Sequence, residues 1–364
     1  MLNDIGLSEF KDGTGQHAYD VNVVDQKHNS EICFTGEYTL DTGITVGVDV
    51  QLEANTSGDQ IDESYMYLST PDMGKLIIGD ENNAAYLLQV TAPHGGIAHN
   101  QANLTAAPNQ GLVPLPTDFD IADTTVDGTL LRFDDNDSGK FSYISPRFAG
   151  FQVGLSYIPN FESGGDNNNS ISRVRPAAGG SKTAGGGNNG ASDGFAVGTN
   201  FSEKFGDVGL KASLGYLYGD IAPAAGSSNL QALSGGVQLA VAGFTVGGSY
   251  TWANGDKVSA NGGFPANASS YDGYSYDVGV SYAIGSYKVG LAYMKGESEG
   301  LRANGSKQYA DYLILSGTYT LGPGVRLIGG LYAWDLDGED GATGAGQLQQ
   351  SQALGGSAGI TLSF

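Results

Sequence analysis

The feature that most limits what this chain can fold into is a period of two. Ile44, Val46, Val48, Val50 and Leu52 alternate with Thr45, Gly47, Asp49, Gln51 and Glu53. Tyr274, Tyr276, Val278, Val280 and Tyr282 alternate with Ser275, Asp277, Gly279 and Ser281, and Val289, Leu291 and Tyr293 with Lys288, Gly290 and Ala292. The last residues repeat the pattern, with Ala358, Ile360, Leu362 and Phe364 set against Ser357, Gly359, Thr361 and Ser363. Successive side chains of an extended chain point to opposite faces, so each segment is a strand with one apolar and one small or polar face. The 58 glycines scattered through 364 residues work against helices, where each costs backbone entropy. No run reaches the length of about 18 apolar residues that a membrane-crossing helix needs.

A soluble sandwich would alternate in the same way, and the connections decide between the two. Tight turns fall at Asp41-Thr42-Gly43, Pro71 to Gly74, Pro146 to Gly150, Lys204-Phe205-Gly206, Ala242-Gly243, Ile284-Gly285 and Leu321 to Gly324. Between them lie long Gly-, Asn-, Asp- and Ser-rich stretches such as 159–193, 255–271 and 338–350. Short turns at one end and long loops at the other define an outer-membrane β-barrel. Counting predicts an all-β, antiparallel barrel of about sixteen strands, an even number as closure of bacterial barrels requires. Closure also removes the unpaired edges that a large antiparallel sheet must otherwise protect. Tyr157, Tyr216, Tyr218, Tyr250, Tyr293 and Tyr332 are expected in the aromatic girdles at the membrane interfaces. The first strand is expected within residues 2–10 or 18–24, where alternation is weak.

Charge and cysteine narrow the function. Seventeen basic against 39 acidic residues leave a formal charge of −22, which excludes a phosphate-binding surface and with it nucleic acid. Cys33 is the single cysteine, so neither an intrachain disulfide nor a multi-cysteine metal site can form. The four histidines, His17, His28, His94 and His99, fall in predicted loops or near the uncertain start, and none stands in a nucleophile–base constellation. No enzyme activity is expected.

Several segments resemble the Gram-negative general porins, particularly the trimeric porins of alphaproteobacteria. Ser142-Tyr143-Ile144-Ser145-Pro146-Arg147-Phe148-Ala149-Gly150-Phe151 resembles that family's Arg-Tyr-x-Ser-Pro-x-Phe-x-Gly-Phe hairpin. Ser30 to Glu37 resembles its second-strand motif, and Met73 to Asp80 the strand that precedes its constriction loop. The terminal Phe364 resembles the signal read by the outer-membrane assembly machinery. The resemblance implies one barrel domain over 1–364, located in the outer membrane. It also implies a homotrimer among lipid and lipopolysaccharide, and passive diffusion of small hydrophilic solutes through a water-filled pore.

The same resemblance implies that the long connection 82–138, the third extracellular loop, folds into the lumen, while 159–193 stays outside. Leu115 to Asp120 loosely matches the family's loop tip, so Asp118, Asp120 and Asp123 are expected at the constriction. Glu31, Asp80 and Ser142 stand where the family carries an arginine ladder. Asp49 and Glu53 add acid to the adjacent strand, against few bases: Arg132, Lys140, Lys211, Lys288 and Arg326. Rings of Asp and Glu favour cations where low-dielectric walls focus the field, so cation selectivity is expected. Asp134, Asn136, Asp335 and Asp337, in turns with oxygen ligands at alternate positions, are candidates for a structural calcium. No other cofactor is expected. Two alternatives stay open: a substrate-specific channel, which a lumenal aromatic ladder would favour, and a plugged structural or adhesive barrel.

Overall fold

The computed structural model describes residues 30–54, 61–98, 116, 119, 125–133, 138–161, 191–221, 228–256, 270–300, 306–339 and 349–363. Within them run fifteen strands: β1 (Glu31–Thr39), β2 (Thr45–Glu53), β3 (Ile61–Thr70), β4 (Gly74–Asp80), β5 (Gly139–Ile144), β6 (Phe151–Asn160), β7 (Ala191–Phe205), β8 (Val208–Ile221), β9 (Leu230–Val241), β10 (Phe244–Asn254), β11 (Gly273–Ile284), β12 (Tyr287–Ser298), β13 (Gln308–Gly322), β14 (Val325–Asp337) and β15 (Gln350–Leu362). One four-residue helix, α1 (Ala84–Leu87), interrupts the series. Every strand pairs antiparallel with the next in chain order, in one uninterrupted sheet. The stretches 2–10 and 18–24, where the sequence places a first strand, lie outside the described residues, as does Phe364.

The connections alternate between tighter turns at one end and longer segments at the other. Short turns join β1 to β2, β3 to β4, β5 to β6, β7 to β8, β9 to β10, β11 to β12 and β13 to β14, and long segments join the rest. The β9–β10 turn shows the local chemistry. Ala242 and Gly243 both have positive φ, 50° and 85°, the mirror-image turn whose twist matches that of paired strands.

Exposure follows the alternation. On β12, Val289 and Leu291 are exposed while Gly290, Ala292 and Met294 are buried, and β11 buries Ser275 and Asp277 while exposing Val278 and Val280. The apolar parity is therefore the outer face, and Ser, Gly and Thr dominate the inner one. Aromatic pairs mark two levels of the outer face, with Phe244–Tyr282 and Tyr287–Tyr319 near the short turns and Phe195–Tyr218 and Tyr250–Tyr274 near the long loops. Tyr332 departs from its expected place in a girdle. It points inward, is 2% exposed, and stacks on Trp334 at 4.7 Å. It belongs to an inner apolar cluster with Ile97, Val126, Met294, Tyr312 and Ile314.

Candidate pore constriction

The connection between β4 and β5 enters the barrel. Its outgoing limb, residues 81–98, turns into α1 at Asn83, whose side chain caps the helix by accepting from Ala85 N and Tyr86 N. The limb then follows the inner wall strand by strand. Ala84 N donates to Ser156 Oγ on β6, Val90 N to Ser213 Oγ on β8, and Gly95 N to Ser316 Oγ on β13, at 2.8, 2.8 and 3.0 Å. The returning limb, residues 125–133, passes back with Thr125 Oγ1 donating to Glu297 O on β12 and Ser275 Oγ on β11 donating to Gly128 O. Asn83 Nδ2 and Gln89 Nε2 donate to Leu131 O and Thr129 O, which ties the two limbs together. Hydroxyls on the wall thus satisfy backbone groups of the loop that water cannot reach.

Close approach of the loop depends on glycine. A Cβ added to Gly236 on β9 would lie 1.7 Å from Val90 O, one on Gly279 of β11 2.4 Å from Pro93 O, and one on Gly290 of β12 2.5 Å from Gly95 N. A Cβ on Gly198 of β7 or on Gly296 of β12 would lie 2.7 Å from Ala84 O or 2.4 Å from Thr125 O. These inward glycines form a belt on which the loop backbone lies. They were invisible as a site in the sequence, although glycine on the non-apolar parity of successive strands is the signal that marks them.

The wall from β1 to β3 presents a different surface. Strand register places Glu31 beside Glu53, Cys33 beside Gln51 and Glu63, Thr35 beside Asp49 and Tyr65, and Glu37 beside Gly47 and Tyr67. All of these share the inward parity. Successive inward residues are about 6.6 Å apart along a strand, so carboxylates recur at each step down the wall. Gln51 Nε2 and Asn82 Nδ2 donate to the two Glu63 oxygens, Tyr67 OH donates to Glu37 at 2.8 Å, and Tyr65 hydrogen-bonds Glu81. Asp62, in the bulge opposite Leu52, feels Glu31 and Glu81 as like charges and Arg132 as an opposite one. Lys75 lies over the Tyr67 ring, 4.1 Å from its centroid. Glu37, Asp62, Glu63 and Glu81 were not among the sequence candidates. For Glu37 and Glu63 the signal, acid on the non-apolar parity of β1 and β3, was there to be counted; Asp62 sits in a bulge and Glu81 in the loop, where parity gives none.

The remaining expectations divide. Glu31, Asp49 and Glu53 stand on the inward parity, and Arg132 lies in the returning limb. Lys140 has inward parity but is 2% exposed, and its Nζ donates to Glu81 O and to Ser138 O. It therefore fastens the ends of the loop instead of lining open water. Asp80 is a correction. It pairs with Ser64, next to the Met66–Ile78 pair of the outer face, because the inward residues of β4 are Lys75, Ile77 and Gly79. Ser142, where the family carries arginine, is buried and shares a 2.6 Å hydrogen bond with Ser156. Lys211, Lys288 and Arg326 have inward parity near the short turns. Asp118, Asp120, Asp123, Asp134, Asn136 and His99 lie outside the described residues. Asp335 has the outer parity, and its two oxygens accept from Gln350 and Gln352 at 2.8 and 3.0 Å. Asp337 shares that parity, and no group of three or more His, Cys, Asp or Glu suited to a metal occurs among the described residues. Cys33 is exposed on the inward parity.

A one-sheet antiparallel wall, apolar outside and lined inside by an inserted loop, is an outer-membrane β-barrel channel. The chain matches the Gram-negative porin model over residues 4–339 and belongs to that family. As a member it is a non-enzymatic channel of the bacterial outer membrane. Solved structures share the fold. A porin refined at 1.8 Å is 17% identical, with 99% of this chain and 98% of that one covered and a TM-score of 0.56. OmpT of Vibrio cholerae in a trimer form is 13% identical, with 100% and 97% covered and a TM-score of 0.57. OmpF of Salmonella typhi, in complex with daunomycin, is 12% identical, with 98% and 96% covered and a TM-score of 0.53. No curated protein sequence matches the chain.

Proposed function

We propose that the protein is a cation-preferring general porin that works as a homotrimer. Small hydrophilic solutes pass between the acidic wall of β1–β3 and the docked loop. One observation carries the cation preference: the inward carboxylates Glu31, Glu37, Asp49, Glu53 and Glu63 share a wall with no facing row of arginines among the described residues. In a narrow aqueous passage with low-dielectric walls, such charges raise the local cation concentration and exclude anions.

Strand length supports association on the same side. Among the described residues, β1 to β6 are 6 to 10 residues long, whereas β7 to β15 are 11 to 15. At a tilt of roughly 45°, 6 to 10 residues rise about 14–23 Å, short of the apolar band of about 25 Å that faces lipid in such barrels. A wall this low fits against other copies better than against bilayer. The V. cholerae OmpT relative is itself described in a trimer form.

Planar-bilayer recording tests both parts. Insertion in three equal conductance steps and a cation-selective reversal potential across a KCl gradient are expected. The combined Glu37→Gln, Asp49→Asn and Glu63→Gln variant should move that potential towards zero. Anion selectivity of the parent would overturn the role given to this wall, and single-step insertions would overturn the trimer. Folded barrels that conduct nothing would favour the plugged, adhesive alternative.

A further inference from the structure

Beneath the inserted loop, on the wall it covers, lies a carboxylate that the acidic lumen does not use. Asp277 of β11 is 1% exposed. Its Oδ1 accepts from Ser249 N and Ser249 Oγ of β10 at 2.6 and 2.7 Å, and from Ala92 N at 3.1 Å. Its Oδ2 accepts from Thr129 Oγ1 at 3.0 Å. Ala92 belongs to the outgoing limb and Thr129 to the returning one, so a single wall side chain holds both limbs of the constriction loop. We propose that Asp277 is the positioning residue of the pore: it staples both limbs to the wall and fixes how much of the lumen stays open. The proposal rests on the reading of the protein as an open channel.

The chemistry explains why the residue is an aspartate. A buried charge is costly unless donors surround it, and here a short, acceptor-only side chain meets two backbone N–H groups and two hydroxyls. Its two oxygens reach donors on β10 and on both limbs at once, which the single hydroxyl of a serine could not. The bonds around it hold one limb each. Thr251 Oγ1 donates to Thr129 O at 2.5 Å and Gln238 Nε2 to Thr91 O at 2.7 Å. Loss of Asp277 therefore removes the wall group that both limbs share and leaves each limb on its own separate bonds, and with the glycine belt behind them the direction in which they can loosen is into the lumen.

Single-channel recording of the full chain tests this. The parent should hold a steady open level. Asp277→Ala should raise the frequency of brief transitions to lower levels at least ten-fold, about the effect of losing one hydrogen bond to a charged group. Asp277→Asn keeps an acceptor for Ala92 and Ser249 and offers an amide N–H to the rotatable Thr129 hydroxyl, so it should restore the steady level. Thr129→Val removes only the returning limb's bond and should give transitions of its own if Asp277→Ala fails to fold. A folded Asp277→Ala channel as quiet as the parent would overturn the proposal, as would an Asn variant as noisy as the Ala one. A parent that does not conduct would instead overturn the pore reading.

Discussion

The wall from β1 to β3 and the wall from β6 to β14 face each other across one pore, yet their inner surfaces have opposite chemistry. The first carries long acidic and phenolic side chains, from Glu31 and Glu53 through Glu63, Tyr65 and Asp49 to Glu37 and Tyr67. The second carries glycine, serine and threonine where the loop backbone lies on it, beside an apolar cluster of Met294, Tyr312, Tyr332 and Trp334, and is covered by the loop. The contrast follows from what each surface touches. Water solvates large charged groups, so the bare wall can hold them. A backbone docked at van der Waals distance needs the absence of side chains, with a hydroxyl wherever an N–H or C=O must be satisfied. Charge selection and pore width are thus assigned to different strands.

The largest expected effect breaks the covered side. Gly236→Val places atoms where Val90 O already lies, and overpacking of this kind costs about 1–3 kcal/mol or more. Single-channel conductance should fall several-fold, or folded barrels should become scarce. Gly36→Val on β1, whose nearest contact would be Val48 Cγ1 at 3.7 Å, should leave conductance as it is. Next comes a pair of lysines. Lys140→Met strips the Nζ donor from the buried carbonyls of Glu81 and Ser138 and should destabilise the barrel by about 2–4 kcal/mol, whereas Lys75→Met loses chiefly a cation–π contact worth about 1 kcal/mol. The temperature at which folded barrels convert to the unfolded gel mobility measures both.

Cys33 then reports on the bare side without any substitution. Exposed on the inward parity among Glu31, Asp49 and Glu63, it should react roughly ten-fold faster with a cationic than with an anionic thiol reagent at low salt, and 1 M KCl should narrow the ratio. Equal rates would place the thiol outside an acidic field. The smallest effect lies on the rim. Lys307, outside the strands, is paired with Glu297, whose hydrogen bond and charge hold the ammonium above its ordinary range. Stability from this pair is present below the usual lysine range near pH ~10.4 and is lost as pH rises through the raised value. Because the lysine is well exposed, Lys307→Ala should cost less than about 0.5 kcal/mol, read as a small drop in melting temperature at pH 8.

The barrel itself was legible because lipid and water enforce a strict rule: each strand residue faces one or the other, and the tight turns from Asp41-Thr42-Gly43 to Leu321–Gly324 punctuate the result. The site was legible only where parity alone decides. Glu31, Asp49 and Glu53 follow from counting along β1 and β2. Asp80 was misplaced because family correspondence was set above the parity of its own strand, in which Lys75, Ile77 and Gly79 face inward. Lys140 and Tyr332 were assigned to water and to the interface, since parity gives a face but says nothing of what covers it. The loop, a tertiary partner folded over that face, seals the one and draws the other into an apolar cluster with Trp334. Asp277 was counted on the polar parity of its strand, yet no local pattern separates a carboxylate under a loop from one in a channel.

The loop's attachments also set an order of events as the protein folds. The bond from Gly95 N to Ser316 Oγ joins residues 221 apart, and that from Thr318 Oγ1 to Gly95 O joins residues 223 apart. Neither can form until β13 stands in the sheet, and contacts of such separation are the slowest to be made. Pairing neighbouring strands closes far shorter stretches of chain, so the bonds that line the bore are the ones with the greatest closure cost. The width of the pore thus rests on the contacts that span the most chain.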